Sequence, residues 1–106
     1  MKRGEIWWVD FDPAQGGEIR KRCPAVVVSN DKANAAQNRV QVLPATSAAT
    51  TIYPWEAPIR IKGRVSKVLA DQLRTVSKTR LSARVGKVTP DELLGIEDAI
   101  RLQLGL

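Results

Sequence analysis

Pro24-Ala25-Val26-Val27-Val28-Ser29-Asn30-Asp31 is the stretch that decides the fold. Ala25–Val28 is a short continuous apolar run, the pattern of a strand buried on both faces. The turn formers Ser29-Asn30-Asp31 end it, and it is expected as the central strand. Upstream, Glu5-Ile6-Trp7-Trp8-Val9-Asp10-Phe11 is rich in aromatic and β-branched residues, and Asp12-Pro13-Ala14-Gln15-Gly16-Gly17 is a turn signal, giving a first strand and a flexible loop. Downstream, Val40-Gln41-Val42-Leu43 reads as a strand stopped by Pro44. Ala57-Pro58-Ile59-Arg60-Ile61 alternates apolar and polar, and its Pro58 points to an edge.

Lys62-Gly63-Arg64 then turns the chain. Val65 to Val76 carries both signals. Val65, Val68, Leu69, Gln72 and Leu73 fit a helical stripe, while Arg74-Thr75-Val76 favours a strand. The surrounding β signals select a strand, followed by a short helical turn near Lys78 to Leu81 and a last strand at Arg84-Val85-Gly86-Lys87-Val88. The C-terminus is the clearest helix. Thr89 is a good N-cap, Pro90 suits the first helical position, and Asp91 and Glu92 lie where the helix dipole favours negative charge. Leu93, Ile96, Ile100 and Leu104 recur on one face, which is expected to pack on the sheet. Five or six short strands and one terminal helix describe a mainly β (α+β) chain, a small, strongly curved barrel or half-barrel.

Composition narrows the function classes. The 106 residues, 43% hydrophobic and 26% charged, fit one domain able to fold without disulfides or metal. No apolar run approaches the roughly 18 residues that span a bilayer, and Met1-Lys2-Arg3-Gly4-Glu5 leads straight into a strand-like segment, so the expectation is cytoplasmic. The single cysteine, Cys23, excludes an internal disulfide, and a structural zinc site needs about four Cys or His ligands; no metal and no cofactor are expected. With no histidine, Ser-His and Cys-His triads are also excluded. The net charge of +6 is uneven: residues 89 to 106 hold four acids and one base, leaving +9 on residues 1 to 88. Such a field speeds encounters with polyanions and acidic protein segments, although a solubility surface has the same sign.

Three clusters are candidates for chemistry. The loop from Asp12 to Arg22 combines Gly16 and Gly17 with Glu18, Arg20, Lys21 and Arg22. Glycines allow close backbone approach, and the cations beyond them can hold phosphates, though an ordinary hairpin loop with a charged rim has the same pattern. Pro44-Ala45-Thr46-Ser47 places two hydroxyls directly after a buried strand, either as phosphate donors or as turn residues. Asp71-Gln72-Leu73-Arg74-Thr75 puts an acid, an amide and a base on an expected strand. Alternation would face Gln72 and Arg74 one way and Asp71 the other, so the three share a site only near an edge or bulge.

Taken together, these segments match something specific. Arg3-Gly4-Glu5-Ile6-Trp7-Trp8-Val9-Asp10-Phe11-Asp12-Pro13, Pro24 to Asp31, Pro44 to Ser47 and Asp71 to Leu81, in this order and spacing, strongly resemble the MazF/PemK toxin family. The resemblance covers nearly the whole chain. It implies a homodimeric SH3-like β-barrel that cuts single-stranded RNA at short sequences without metal and is held inactive by a cognate antitoxin. In that family the ribose 2′-oxygen attacks the adjacent phosphorus, leaving a 2′,3′-cyclic phosphate and a 5′-hydroxyl. The resemblance makes Thr46 the catalytic donor to the reacting phosphate. It places Arg3, Glu18, Asp71, Gln72 and Arg74 at or near the RNA groove, with Gly16, Gly17, Arg20, Lys21 and Ser47 beside them, and gives Glu18 a second possible role in proton transfer.

One position departs from the pattern. The family usually carries an arginine immediately before the proline that opens the Val-rich strand, where it acts on the scissile phosphate. This chain has Cys23. A cysteine lacks a guanidinium's permanent charge and fork of donors, a loss of at least about a hundredfold in rate. Three readings stay open: Arg22 swings in as a substitute, Cys23 is an inactivating substitution, or the chain is a natural member with weak or altered activity. Two rival functions follow, a toxin of the same barrel that binds and poisons DNA gyrase, and a passive RNA-binding barrel.

Overall fold

Val26 and Val27, neighbours on one strand, lie in two different cores, and this two-faced burial organises the molecule. The structure, a computed structural model, describes residues 1–12, 16–17, 21–47 and 51–106. Among them the strands are β1 (Glu5–Asp10), β2 (Arg22–Val27), β3 (Arg39–Ser47), β4 (Glu56–Ile61), β5 (Arg64–Leu69), β6 (Arg74–Ser77) and β7 (Leu81–Lys87). The helices are α1 (Asp31–Ala36) and α2 (Pro90–Leu104), and 3₁₀ turns occupy Ala70–Gln72 and Lys78–Arg80. Every pairing is antiparallel, in the order β4-β5-β3-β2-β1-β7 with β6 also on β3. The sheet curls into a half-barrel. β2 is central, as its apolar run requires, and Pro58 sits on β4 at the end of the order, where a missing donor costs nothing.

One core, built on Ile6, Val26, Leu43, Ile59 and Val68, is closed by Ile96 and Ala99 of α2. The other gathers Val9, Phe11, Val27, Val42, Val76 and Leu81 on the opposite face. Helix α2 forms as its signals demand: Thr89 accepts from Glu92 N while Glu92 accepts from Thr89 N, a complete capping box, and Gly105 ends the helix at φ 71°. Leu93, Ile96 and Ile100 face the sheet, but Leu104, in the last turn of the helix, is 52% exposed.

Four expectations are corrected. Pro44 does not stop β3. It sits between the last β3–β6 pair, Val42 with Arg74, and the first β3–β5 pair, Ala45 with Val68, where β3 changes partners and needs no donor on that side. Val65–Val76 is not one strand but β5, a 3₁₀ turn and β6, which makes seven strands rather than five or six. Ser29-Asn30-Asp31 does more than turn the chain: Asn30 caps α1 by accepting from Ala33 N at 2.8 Å, since the residues that favour turns also cap helices. The last strand begins at Leu81, not Arg84, in register with β1.

Candidate functional site

The end of β3 carries the hydroxyls. Thr46 and Ser47 lie opposite Lys67 and Ser66 of β5. They line a hollow of about 580 Å³ together with Trp8, Pro24, Arg64 and Ser66. The β-hairpin that joins β4 to β5 through Lys62 and Gly63 brings Arg64 to this wall. Lys67, although beside Thr46 in the register, is committed elsewhere. Its ammonium is buried against Glu56 Oε1 at 2.9 Å and Thr51 O at 3.1 Å.

Cys23 approaches from β2. Ala25 pairs with Pro44, so continuing the antiparallel register sets Cys23 across from Thr46. Burial pushes its thiol up to about 11, with a hydrogen bond to the Ala45 backbone pulling the other way. At neutral pH it is an uncharged thiol packed against the second core, neither a nucleophile nor a cation. Arg22 leaves the strand on the other side, as alternation requires. Its guanidinium lies 5.0 Å above the ring of Trp8 and donates to Ser82 Oγ at 2.9 Å. Trp8 is thus the shared wall between Arg22 and the Thr46 hollow.

A second hollow, about 470 Å³, is lined by Phe11, Gly17, Pro44, Asp71, Gln72 and Arg74. Alternation on a strand allowed this grouping only near an edge or bulge; the interruption that brings Asp71 to it is the 3₁₀ turn at Ala70–Gln72. Arg74 spans this wall, donating to Phe11 O at 3.1 Å with its guanidinium 5.6 Å over the Phe11 ring. Arg80 grips the adjoining carbonyls of Asp10, at 3.0 Å, and Asp12. Asp12 in turn accepts from Lys21 N at 2.8 Å, and Phe11 N donates to Lys21 O at 3.0 Å, so the two ends of the loop are joined at its base. Glu18 and Arg20 lie outside the described residues, while Gly16 and Lys21 are exposed.

Arg3 belongs to neither hollow. Its guanidinium bonds Glu97 on α2 and the carbonyl of Val28, and its backbone N–H donates to Asp31 at 2.7 Å. Residues not singled out as candidates complete the site: Trp8 on β1, Phe11 just after it, Arg64 at the start of β5 and Arg80 in the 3₁₀ turn before β7. Among the described residues, no group of three or more His, Cys, Asp and Glu side chains is arranged for a metal ion.

A curled antiparallel half-barrel with a terminal helix and hydroxyls at the end of its long strand has the architecture of the MazF-type toxins. The crystal structure of MazF from Deinococcus radiodurans superposes with a TM-score of 0.88 at 29% identity, covering 100% of this chain and 97% of that one. An endoribonuclease in complex with its cognate antitoxin, from a mycobacterial species, gives 0.83 at 26% identity over 100% and 96%. The family described as PemK-like, MazF-like toxin of type II toxin–antitoxin system matches residues 2–104, and the chain belongs to that family. Endoribonuclease MazF9 of Mycobacterium tuberculosis is 39% identical over 115 residues, covering 100% of this chain and 98% of the relative. Endoribonuclease toxin MazF of Escherichia coli is 33% identical over 103 residues, 96% and 92%.

Proposed function

We propose that this chain, as one domain over residues 1–106, is the endoribonuclease toxin of a type II toxin–antitoxin pair, acting on single-stranded RNA. The observation that carries the reading is the hydroxyl-bearing pair Thr46 and Ser47 on the wall of a hollow that Arg64 also lines, in a chain whose relatives are named endoribonucleases. The +9 charge on residues 1 to 88 supplies attraction for RNA and for an acidic antitoxin segment that would order along the same surface. Such a toxin works as a homodimer in the cytoplasm; no helix among the described residues is long and apolar enough to cross a membrane.

In the proposed step the ribose 2′-oxygen attacks the adjacent phosphorus and the bond to the 5′-oxygen breaks. A 2′,3′-cyclic phosphate and a 5′-hydroxyl result, the 2′ proton passing to a base and the leaving oxygen taking one up. Thr46 donates to a phosphate oxygen as charge builds, a contribution that acts on the transition state more than on the bound substrate. An internal nucleophile needs no activated water. The neutral Cys23 supplies no cation at the phosphate, which sets the expected rate low.

The test is a long single-stranded RNA incubated with the protein in EDTA, its ends mapped by primer extension. Cuts with cyclic-phosphate ends, enhanced by Cys23→Arg and reduced by Thr46→Ala, support the reading. Ends bearing 3′-hydroxyls, a requirement for magnesium, or equal inertness of wild type and Cys23→Arg on diverse RNAs count against it.

A further inference from the structure

The arginines around the site differ in what they already hold. Arg74 is committed to Phe11 O, Arg80 to the Asp10 and Asp12 carbonyls, Arg22 to Trp8 and Ser82, and Arg3 to Glu97. Arg64 is different: its guanidinium makes no ion pair or hydrogen bond among the described residues, yet it lines the hollow of Thr46 and Ser47. Thr46, Ser47 and Ser66, each bearing a hydroxyl, line that hollow, and among the described residues no Asp or Glu is on its lining. An unpaired guanidinium beside hydroxyl-bearing residues fits a phosphate, which accepts from both and offers two oxygens to the planar fork of donors. The other hollow is less suited to an anion because Asp71 is on its wall.

We propose that Arg64 holds a backbone phosphate of the bound RNA beside Thr46, supplying from the β4–β5 hairpin the positive charge that Cys23 does not supply from β2. This inference rests on the ribonuclease reading and adds a residue to it. Strand register makes the placement possible. Ser47 pairs with Ser66, two positions along β5 from Arg64, so the hairpin carries the cation to the end of β3.

The experiment measures binding, so that it does not depend on the rate of cleavage. A fluorescent single-stranded oligonucleotide with 2′-O-methyl riboses, which cannot be cut, is titrated by anisotropy across a range of NaCl. Arg64→Ala is expected to weaken binding about tenfold at low salt and to flatten the salt dependence by roughly 0.7, the increment for one phosphate on a single strand. Arg64→Lys restores part of the affinity, and Lys62→Ala, an exposed cation of the same hairpin, leaves the slope near wild type. Unchanged affinity and slope in Arg64→Ala, or an equal loss in Lys62→Ala, overturns the proposal and leaves the ribonuclease reading standing. A wild-type chain that binds none of these oligonucleotides overturns both.

Discussion

Arg22 lays its guanidinium 5.0 Å above the ring of Trp8, a residue 36% exposed on the wall of the Thr46 hollow. The contact explains why Arg22 is not free to replace the guanidinium absent at position 23: it is stacked on one face of the sheet while Cys23 packs on the other. An exposed cation–π pair contributes about 0.5–1 kcal/mol. In a double-mutant cycle of Arg22→Ala and Trp8→Ala, followed by urea unfolding, a coupling of that size is expected. Strict additivity would show that the stack carries no energy.

Cys23 gives an alkaline signature. Its ordinary value of 9.0 is raised to about 11 by burial, so the folded state holds the proton more tightly than the unfolded chain. The stability this contributes is complete below pH 9.0 and is lost as pH rises to about 11. Cys23→Ala should flatten that alkaline decline. Alkylation of the folded protein by iodoacetamide should stay slow at pH 7 and climb only as pH nears 11. Rapid labelling at pH 7 would mean the thiol is not held this way.

Arg3 separates structure from binding. Resemblance puts it at the RNA groove, but its guanidinium is spent on Glu97 and Val28 O. Arg3→Ala is therefore expected to lower stability by about 1–3 kcal/mol, leaving a charged partner unsatisfied, while changing oligonucleotide affinity less than twofold. A larger loss of affinity than of stability would return Arg3 to the groove.

The terminal helix is held by one cap and one anchor. Thr89→Ala removes half of the capping box, an expected loss of about 1 kcal/mol. Ile96, fully buried between helix and sheet, should cost about 2–5 kcal/mol as Ile96→Ala. Both are read as midpoint shifts in urea, and equal losses would show that helix seating does not depend on this side chain.

On the acid side, Glu5 and Asp31 set the pH dependence. Burial pushes Glu5 up, but the Lys2 backbone N–H, the Trp7 indole and Arg84 together outweigh it and hold the carboxyl below its usual range. The Arg3 backbone N–H does most to lower Asp31. Depressed values stabilise the fold above the ordinary carboxylate range, and that stability is lost as pH falls through the folded values. Glu5→Gln and Asp31→Asn should each flatten the acid limb of stability against pH. A limb as steep as wild type in both variants would place its origin in other carboxylates.

Much of the fold was legible because its signals are local. An apolar run of four residues closed by turn formers fits a strand covered on both sides, and a threonine, a proline and two acids in succession favour the start of a helix. Where local signals are shared between structures, reading along the chain failed. Asn30 serves a turn and a helix cap equally, and Val65–Val76 holds apolar residues at spacings that suit a strand and a helix. The 3₁₀ turn at Ala70–Gln72 resolved that second case only through packing of Ala70 into the core.

Thr46 and Ser47 in one short segment and Gln72 and Arg74 in another were visible as chemistry-bearing residues, and the sequence alone determined the family, the strand-rich class, the basic body and the departure at Cys23. Which cations are free was decided by tertiary structure. Arg3, Arg22, Arg64, Arg74 and Arg80 are alike as letters, and only the closing of the sheet gives four of them carbonyl, carboxylate, hydroxyl or ring partners while leaving Arg64 without a partner among the described residues, on the wall of the Thr46 hollow. The physical reason is range: backbone preference acts over a few residues, whereas a guanidinium's partner is whatever strand register brings within about 3 Å of it.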